Sequence, residues 1–172
     1  AEACSLAGTL ELGNLIVIWD DNEISIEGDT RISFGEDTLA RYDSYGWHTQ
    51  HVDWSASGTY QEDVAALFAA IEEAKAVTDK PSFIRLSTII GWPLPNKAGS
   101  ADVHGAKLGD EEIGALKREL GFNPELTFEV EPEVLAHARQ VAERGATARA
   151  EWDKQFAAWQ TANPERSALL NR

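Results

Sequence analysis

The most constraining feature of the chain is an uninterrupted apolar run, Leu15 to Trp19, which ends at a group of oxygen-bearing side chains. Because the run does not alternate between apolar and polar residues, it predicts a strand buried on both faces, as in a parallel sheet. Asp20, Asp21 and Asn22 follow directly. In open α/β sheets, ligands bind at the carboxyl edge of the strands, and carboxylate and amide oxygens suit a hard cation such as Mg²⁺ or Ca²⁺. The stretch therefore predicts a cation site and favours an anionic ligand held through the cation.

The composition of the 172-residue chain limits its class and its partners. Its 43% hydrophobic and 26% charged residues are typical of one globular domain. A net charge of -14 disfavours nucleic acid and anionic membrane surfaces, because both bind Lys and Arg. No apolar stretch is long enough to cross a membrane, and the single cysteine, Cys4, fits a reducing, cytoplasmic compartment. Since the chain has no Met, even at its start, we expect it to be a piece of a longer protein.

Predicted strands and helices alternate along the chain. Three strands joined through helices by short connections predict an α/β fold, with a doubly wound, mostly parallel sheet and helices on both faces. We assign residues 1–160 to this domain and the polar residues 161–172 to the start of a linker. The apolar face of the third helix is predicted to carry Val64, Leu67, Phe68 and Ile71. The predicted strands are Leu15–Trp19, Trp47–Val52 and Ser82–Ile89, and the predicted helices are Ala1–Leu12, a segment capped within 33–37 and running to Tyr45, Gln61–Val77, Asp110–Gly121 and Pro132–Trp159.

Asn22 is the first candidate for a binding role. Its side-chain oxygen can bind a metal ion while its amide nitrogen donates to a phosphate oxygen. The alternative is a structural Asn that closes an Asx-turn. For Asp20 and Asp21, one can be a ligand, or both can cap the loop or pair with Arg31. The backbone carbonyls of residues 22–25 are further candidate ligands, because hard cations readily take carbonyl oxygens.

His104 is the second candidate, and it lies in the long segment from Ile90 to Leu108 that follows the third predicted strand. Connections of this length are commonly functional or disordered. Loops that follow neighbouring parallel strands open at the same edge of a sheet, so Asn22 and His104 would face one ligand. A histidine there can donate to a diphosphate or transfer protons, and the alternative is a solvated loop residue.

Four further residues are weaker candidates. Lys97 and Lys107 would either meet a substrate phosphate or remain in solvent. Ile24 and Ile26 would either contact the core or form an apolar wall against a flat heterocycle. The sequence contains no Ser-His-Asp order, glycine-rich phosphate loop, CxxC pair or HExxH motif. An enzyme built on this chain would therefore depend on a cofactor for the difficult chemical step.

Five separated motifs occur in one order along the chain: EACSLAGTLELGNLIVIWDDNEISIEG, FGEDTLARYDSYGW, DKPSFIRLSTIIGW, PNKAG and VHGAKLGDEE. In this order they resemble the thiamine-diphosphate-binding N-terminal domain of the transketolase family, across the whole chain. One matching motif would be weak evidence, whereas five in order are specific. The resemblance implies the thiamine-diphosphate-binding fold in incomplete form. The family's GDG motif is expected upstream of Ala1, and its pyrimidine-binding domain is expected beyond Arg172.

The resemblance also implies a role for individual residues. Asn22 would bind the divalent metal, Mg²⁺ or Ca²⁺, together with a diphosphate oxygen of thiamine diphosphate. Ile24 would give its backbone carbonyl to the same metal. Ile26 and Ile90 would pack against the cofactor. His104 would contact the diphosphate and the substrate and would assist proton transfer.

For the whole protein, the resemblance implies a transketolase, a transferase of the pentose phosphate pathway that moves a two-carbon ketol unit from a ketose phosphate to an aldose phosphate. It also implies a cytoplasmic homodimer with Glu2 buried near the interface, and we expect the isolated chain to be inactive. Two alternatives stay open: another ketol-transferring thiamine enzyme such as dihydroxyacetone synthase, and a non-catalytic interaction module.

Two departures from the family pattern concern only loop shape: Lys107 replaces a common proline, and Trp92-Pro93-Leu94 replaces Tyr-Gly-Ser.

Overall fold

The computed structural model describes residues 1–56 and 60–170, and the contacts divide the chain into two compact units. Unit 1 is Ala1–Glu125 and unit 2 is Leu126–Arg172. Unit 1 contains every strand of the described chain and all of the candidate site residues.

A three-stranded parallel sheet lies at the centre of unit 1. The strands β1, β5 and β4 lie side by side in that order, while β2 and β3 pair as a short antiparallel hairpin. The parallel pairing confirms one part of the prediction made from the apolar run Leu15–Trp19. The expected burial on both faces is wrong, because β1 lies at the edge of this sheet, its apolar residues are at most partly buried, and Ile18 is 44% exposed. The strands are β1 (Ile16–Asp21), β2 (Ile24–Ser25), β3 (Gly28–Asp29), β4 (His48–Asp53) and β5 (Ser82–Ser87).

Helices cover both faces of this sheet, as predicted. On one face, Ala7 of the first helix and Tyr42 of the second pack with Phe83 of β5. On the other face, Ala74 of the third helix packs with Ile84. Successive side chains of β5 therefore enter two separate cores, because a strand alternates its side chains between faces. The helices of unit 1 are α1 (Glu2–Thr9), α2 (Thr38–Ser44), α3 (Val64–Ala76) and α4 (Asp110–Glu119), with short 3₁₀ turns at Thr30–Ile32 and Ala101–Val103.

All three predicted strands end at residues other than those predicted, and β4 does so by a single residue, at Asp53. β1 continues through Asp20 and Asp21, which we expected to follow the strand. Their register partners on β5 are Leu86 and Ser87, so pairing with the neighbouring strand overrides the low β propensity of aspartate. β5 in turn ends at Ser87, two residues before the predicted end.

The third helix begins later than predicted, and the face that it packs against the core only partly matches the predicted one. α3 begins at Val64 because the side chain of Asp63 accepts the backbone N–H of Ala66 at 2.8 Å, an N-cap. The predicted apolar face was partly wrong, since Val64 is 66% exposed and Phe68 is 64% exposed. Small side chains occupy much of the contact instead, which lets the helix lie close to the sheet. The residues of α3 that pack against the core are Ala66, Leu67, Ala70, Ile71 and Ala74.

Unit 2 consists of two helices, α5 (Pro132–Ala162) and α6 (Pro164–Leu170). The first confirms the long helix predicted to begin at Pro132. The second lies in the segment expected to start a linker. The boundary near residue 160 and the linker remain predictions, and residues 171–172 lie outside the described residues. Among the helices of the described ranges, none has the length and apolarity needed to cross a membrane.

Candidate functional site

Asn22 follows β1 directly, at the carboxyl edge of the sheet, and closes an Asx-turn. Its Oδ1 accepts the backbone N–H of Ile24 at 3.1 Å. Glu23, between them, has a φ of 59°, and its carbonyl accepts the N–H of Thr30 at 2.9 Å. The structural alternative for Asn22 is therefore confirmed. It leaves room for a ligand role, because an amide oxygen has a second lone pair and the amide nitrogen is a separate donor.

Contacts from β5 and from the residue after it fix the end of β1. Nε and Nη2 of Arg85 each lie 2.6 Å from Oδ2 of Asp21. The backbone N–H of Thr88 donates to the Asp21 carbonyl at 3.1 Å, and the Thr88 hydroxyl donates to the carboxylate of Asp20. Asp21 is only 7% exposed, so its charge lies inside the protein and is balanced by Arg85.

The alternative in which Asp20 or Asp21 pairs with Arg31 is wrong. Arg31 pairs instead with Asp29, which lies two residues before it and caps the 3₁₀ turn. The carboxylate of Asp29 also accepts the backbone N–H of Arg31 at 2.8 Å. Hydrogen bonds from the Arg31 guanidinium and backbone lower the pKa of Asp29 to about 2.

A polar cleft of about 410 Å³ opens at this edge of the sheet. Asn22 and Ile24 both line it. The structure therefore brings the two predicted metal-binding residues to one cavity. Its walls also include His51 and Asp53 of β4, Arg85 and Ser87 of β5, and Ile89 and Gly99 of the following loop.

The other three predicted site residues are not among the described residues that line this cleft. Ile26 lies between β2 and β3 and is 69% exposed. Ile90 is partly buried, and its carbonyl accepts the N–H of Gly99 at 2.8 Å. His104 is exposed, and its backbone N–H donates to the Ala101 carbonyl at 3.0 Å. The roles of Ile26, Ile90 and His104 stay predictions.

The loop that contains His104 is anchored to α4 by the buried carboxylate of Glu112. This carboxylate accepts the backbone N–H of Asn96 at 3.0 Å and the Nδ2 of Asn96 at 2.8 Å. These donors hold the pKa of Glu112 below its usual range. The side chain of Lys97 forms a hydrogen bond within the same loop, because its Nζ donates to the Leu108 carbonyl at 3.1 Å.

Acidification is expected to release the Asn96 contact. Because the folded-state pKa of Glu112 is lowered, its contribution to stability is present above the unfolded value of about 4.3 and is lost as the pH falls through the folded value. We expect the Asn96 amide to exchange faster once the pH falls through the lowered pKa of Glu112, after correction for the intrinsic rate, in hydrogen-exchange measurements. A Glu112→Gln variant should show no such step, whereas Glu111→Gln, at the exposed neighbouring residue, should retain it.

Arg85 is the residue at this edge that the sequence analysis missed. A signal was present in the sequence, since Arg85 lies between the apolar residues Ile84 and Leu86, and an arginine in such a strand is rarely buried without a partner. The identity of that partner depends on strand order and register. Neither can be read from the strand itself, so the pairing with Asp21 is visible only in the structure.

The donors at this edge suit a hard cation. In residues 1–56 and 60–170, no group of three or more His, Cys, Asp or Glu side chains is placed to hold a metal ion. The predicted donors are instead the amide oxygen of Asn22 and the backbone carbonyl of Ile24, oxygen types that Mg²⁺ and Ca²⁺ accept. Such donors would suit one side of a metal–diphosphate complex. Water, the diphosphate and other segments would complete the coordination.

The chain matches a known protein family over its whole length. Residues 1–172 match the family model described as transketolase, thiamine diphosphate binding domain. The chain is 50% identical to a transketolase of Mycobacterium leprae and 46% identical to one of Scheffersomyces stipitis, over 172 residues in each case. These alignments cover all of this chain and 24% of each relative. The chain therefore spans about a quarter of the length of the curated relatives that it matches.

Solved structures of transketolases have the same fold as this chain. A crystal structure of transketolase from Pichia stipitis, in complex with sedoheptulose 7-phosphate, superposes with a TM-score of 0.85 and 46% identity, over 99% of this chain and 24% of that chain. Transketolase from Leishmania mexicana superposes with a TM-score of 0.82 and 36% identity, over 97% of this chain and 24% of that chain.

Proposed function

This chain belongs to the transketolase family, in which it matches the thiamine diphosphate binding domain, and we propose that it is one part of a longer transketolase, called the parent protein below. The parent protein would move a two-carbon ketol unit from a ketose phosphate to an aldose phosphate, in the pentose phosphate pathway. The sugar phosphate bound by the Pichia stipitis protein supports this class of substrate. We further propose that the parent protein is a cytoplasmic homodimer.

Within the parent protein, this chain would hold thiamine diphosphate and its metal ion, Mg²⁺ or Ca²⁺. When bound, thiamine diphosphate supplies the electron sink needed to cleave a C–C bond beside a carbonyl. Asn22 would keep its bond to Ile24, offer the second lone pair of Oδ1 to the metal and donate from Nδ2 to a diphosphate oxygen. Ile24 would offer its backbone carbonyl. The observation that carries the proposal is that one turn presents both residues in a cleft at the ligand-binding edge of a parallel sheet.

Three other residues of the chain would serve the same cofactor. His104 would donate to the diphosphate and assist proton transfer at the substrate. Ile26 and Ile90 would make apolar contacts with the cofactor.

Glu2, at the start of α1, has a fully exposed side chain in the single chain, so its burial at a dimer interface would require the partner subunit.

Replacing Asn22 tests this function. We expect Asn22→Ala in the parent protein to weaken thiamine diphosphate binding by at least about 100-fold at saturating Mg²⁺, because two contacts to charged groups are lost, each worth about 1.5–3 kcal/mol. Isothermal titration calorimetry measures the change. The matched control is Asn123→Ala, because the Oδ1 of Asn123 accepts the N–H of Glu125 at 3.0 Å in an equivalent turn.

Tight cofactor binding by the Asn22→Ala variant, with a dissociation constant close to that of the unmodified protein, would contradict the proposed role. Acceptor preference separates the two ketol-transfer activities. We expect the parent protein to prefer an aldose phosphate, whereas a preference for formaldehyde would favour dihydroxyacetone synthase. Absence of any ketol transfer by the parent protein would favour the non-catalytic module.

A further inference from the structure

We propose that Arg85 is a positioning residue for the metal-binding turn, and that it acts through Asp21 on Asn22 and Ile24. The inference rests on the proposed function, since it concerns the same site. Within the described part of the chain, the polar partner of Arg85 is Asp21 and not either proposed ligand. The effect of Arg85 would pass through the backbone at the end of β1.

Arg85 is held firmly in place by two neighbours on β1. Its Nε and Nη2 both reach Oδ2 of Asp21 at 2.6 Å. Its guanidinium carbon also lies 5.6 Å from the centre of the Trp19 ring, within cation–π range. Trp19 is the register partner of Arg85, and Asp21 lies two residues further along the same face of β1. The guanidinium therefore spans the last two residues on that face of the strand.

Asp21 directly precedes the turn that would bind the metal. Its backbone carbonyl is held by Thr88 at 3.1 Å, and its side chain is held by Arg85, so both parts of Asp21 are fixed to β5 or the residue after it. On the far side of the turn, the Glu23 carbonyl is held by the backbone N–H and the hydroxyl of Thr30. Asn22 thus lies between the two anchored residues, Ile24 directly follows the second of them, and Arg85 supplies the charged anchor.

The positive charge of Arg85 makes it possible to distinguish a positioning role from a direct electrostatic effect on the bound metal ion. Arg85 is a cation beside a proposed cation site, and both line the same cleft. Removal of its positive charge would, by Coulomb's law alone, strengthen Mg²⁺ binding. A weaker Mg²⁺ affinity in a variant without this charge therefore reports the loss of geometry in the turn.

The test measures Mg²⁺ binding by the parent protein at saturating thiamine diphosphate, by isothermal titration calorimetry. We expect Arg85→Met to weaken Mg²⁺ binding about 10-fold, the usual lower range for losing a partner that orients a metal ligand. The kcat at saturating metal and cofactor should stay within about twofold, because the turn would still bind at high Mg²⁺ concentration. The thermal midpoint of each metal-free variant reports folding independently.

The chain offers a control with the same types of contact in an exposed ion pair. Arg149 in α5 pairs with Asp153 at 2.7 Å and lies 5.1 Å from the ring centre of Trp152, so it makes the same two kinds of contact as Arg85. We expect Arg149→Met to leave the Mg²⁺ affinity unchanged. A double variant, Asp21→Asn with Arg85→Met, removes the buried pair without changing the net charge. It should fold even if Arg85→Met leaves Asp21 unpaired and fails to fold, and it should also bind Mg²⁺ about 10-fold more weakly.

An Mg²⁺ affinity within twofold of the unmodified protein, in either folded variant, would overturn the inference while leaving the proposed function intact. A tighter affinity in Arg85→Met would also overturn it, since electrostatics alone would then explain the effect. If the unmodified parent protein shows no Mg²⁺-dependent binding of thiamine diphosphate, the proposed function itself fails, and the inference fails with it.

Discussion

Replacing Ile84 with alanine is expected to lower the free energy of unfolding by about 4 kcal/mol. Ile84 lies on the central strand β5 with no exposed surface, and it packs in one cluster with Val52, Leu86 and Ala74. The substitution removes apolar contacts and leaves a cavity between the sheet and α3, which two elements already in close contact can only partly fill. Urea unfolding of the parent protein, followed by tryptophan fluorescence, measures the loss.

An exposed isoleucine provides the control for this prediction. Ile32, at the end of the first 3₁₀ turn, is 83% exposed. We expect Ile32→Ala to change the free energy of unfolding by less than about 0.5 kcal/mol. Equal losses in the two variants would show that Ile84 does not lie in a packed core.

The position of Ile84 explains how one strand serves both stability and the candidate site. Ile84 and Leu86 face α3, whereas Phe83 and Arg85 face the opposite side of the sheet. Along that opposite side, the side chains change from aromatic at Phe83 to charged at Arg85, close to the carboxyl edge. The strand therefore has a packed core on one face and, on the other, the ion pair that fixes the end of β1.

Much of the fold follows from local patterns that sequence shows directly. The uninterrupted apolar run Leu15–Trp19 predicted a parallel strand, although its burial on both faces was wrong, and alternation with helices predicted coverage of both faces of the sheet. The ends of the elements depended on partners distant in sequence. Asp20 and Asp21 belong to β1 because Leu86 and Ser87 lie beside them. The contact face of α3 was partly mispredicted, because a hydrophobic pattern does not show how closely a helix approaches its sheet.

The candidate site likewise contains residues whose position the sequence predicts and residues whose position it does not. Asn22 and Ile24 are two residues apart, so one local turn places both of them in the cleft. His104 is separated from them by a long loop whose path depends on contacts such as Glu112 with Asn96. Sequence can place such a residue after a particular strand. The final position of the side chain depends on the fold of the loop.

The beginning of the first motif, EACSLAGTLELG, shows a constraint that only the structure explains. Gly8 in α1 packs against the end of α2, where an added Cβ would lie 1.9 Å from the backbone oxygen of Tyr45. The same contact region contains Trp47, whose Nε1 donates to the Cys4 carbonyl at 2.8 Å. Glycine is required at this position by the close approach of two backbones, since the obstructing atom belongs to the main chain and cannot rotate away.

Gly8→Ala is therefore expected to destabilise the protein by about 3 kcal/mol, at the upper end of the usual range for overpacking. To relieve the overlap, α1 must move away from Tyr45 and Trp47, which weakens the core around Ala7 and Phe83. The control is the same substitution in α5, at Gly145, where an added Cβ meets nothing within 4 Å. There, the higher helix propensity of alanine should stabilise the protein by about 0.5–1 kcal/mol. Thermal unfolding of the two variants should thus shift the midpoint in opposite directions, and a stabilising effect of Gly8→Ala would contradict the close packing of α1.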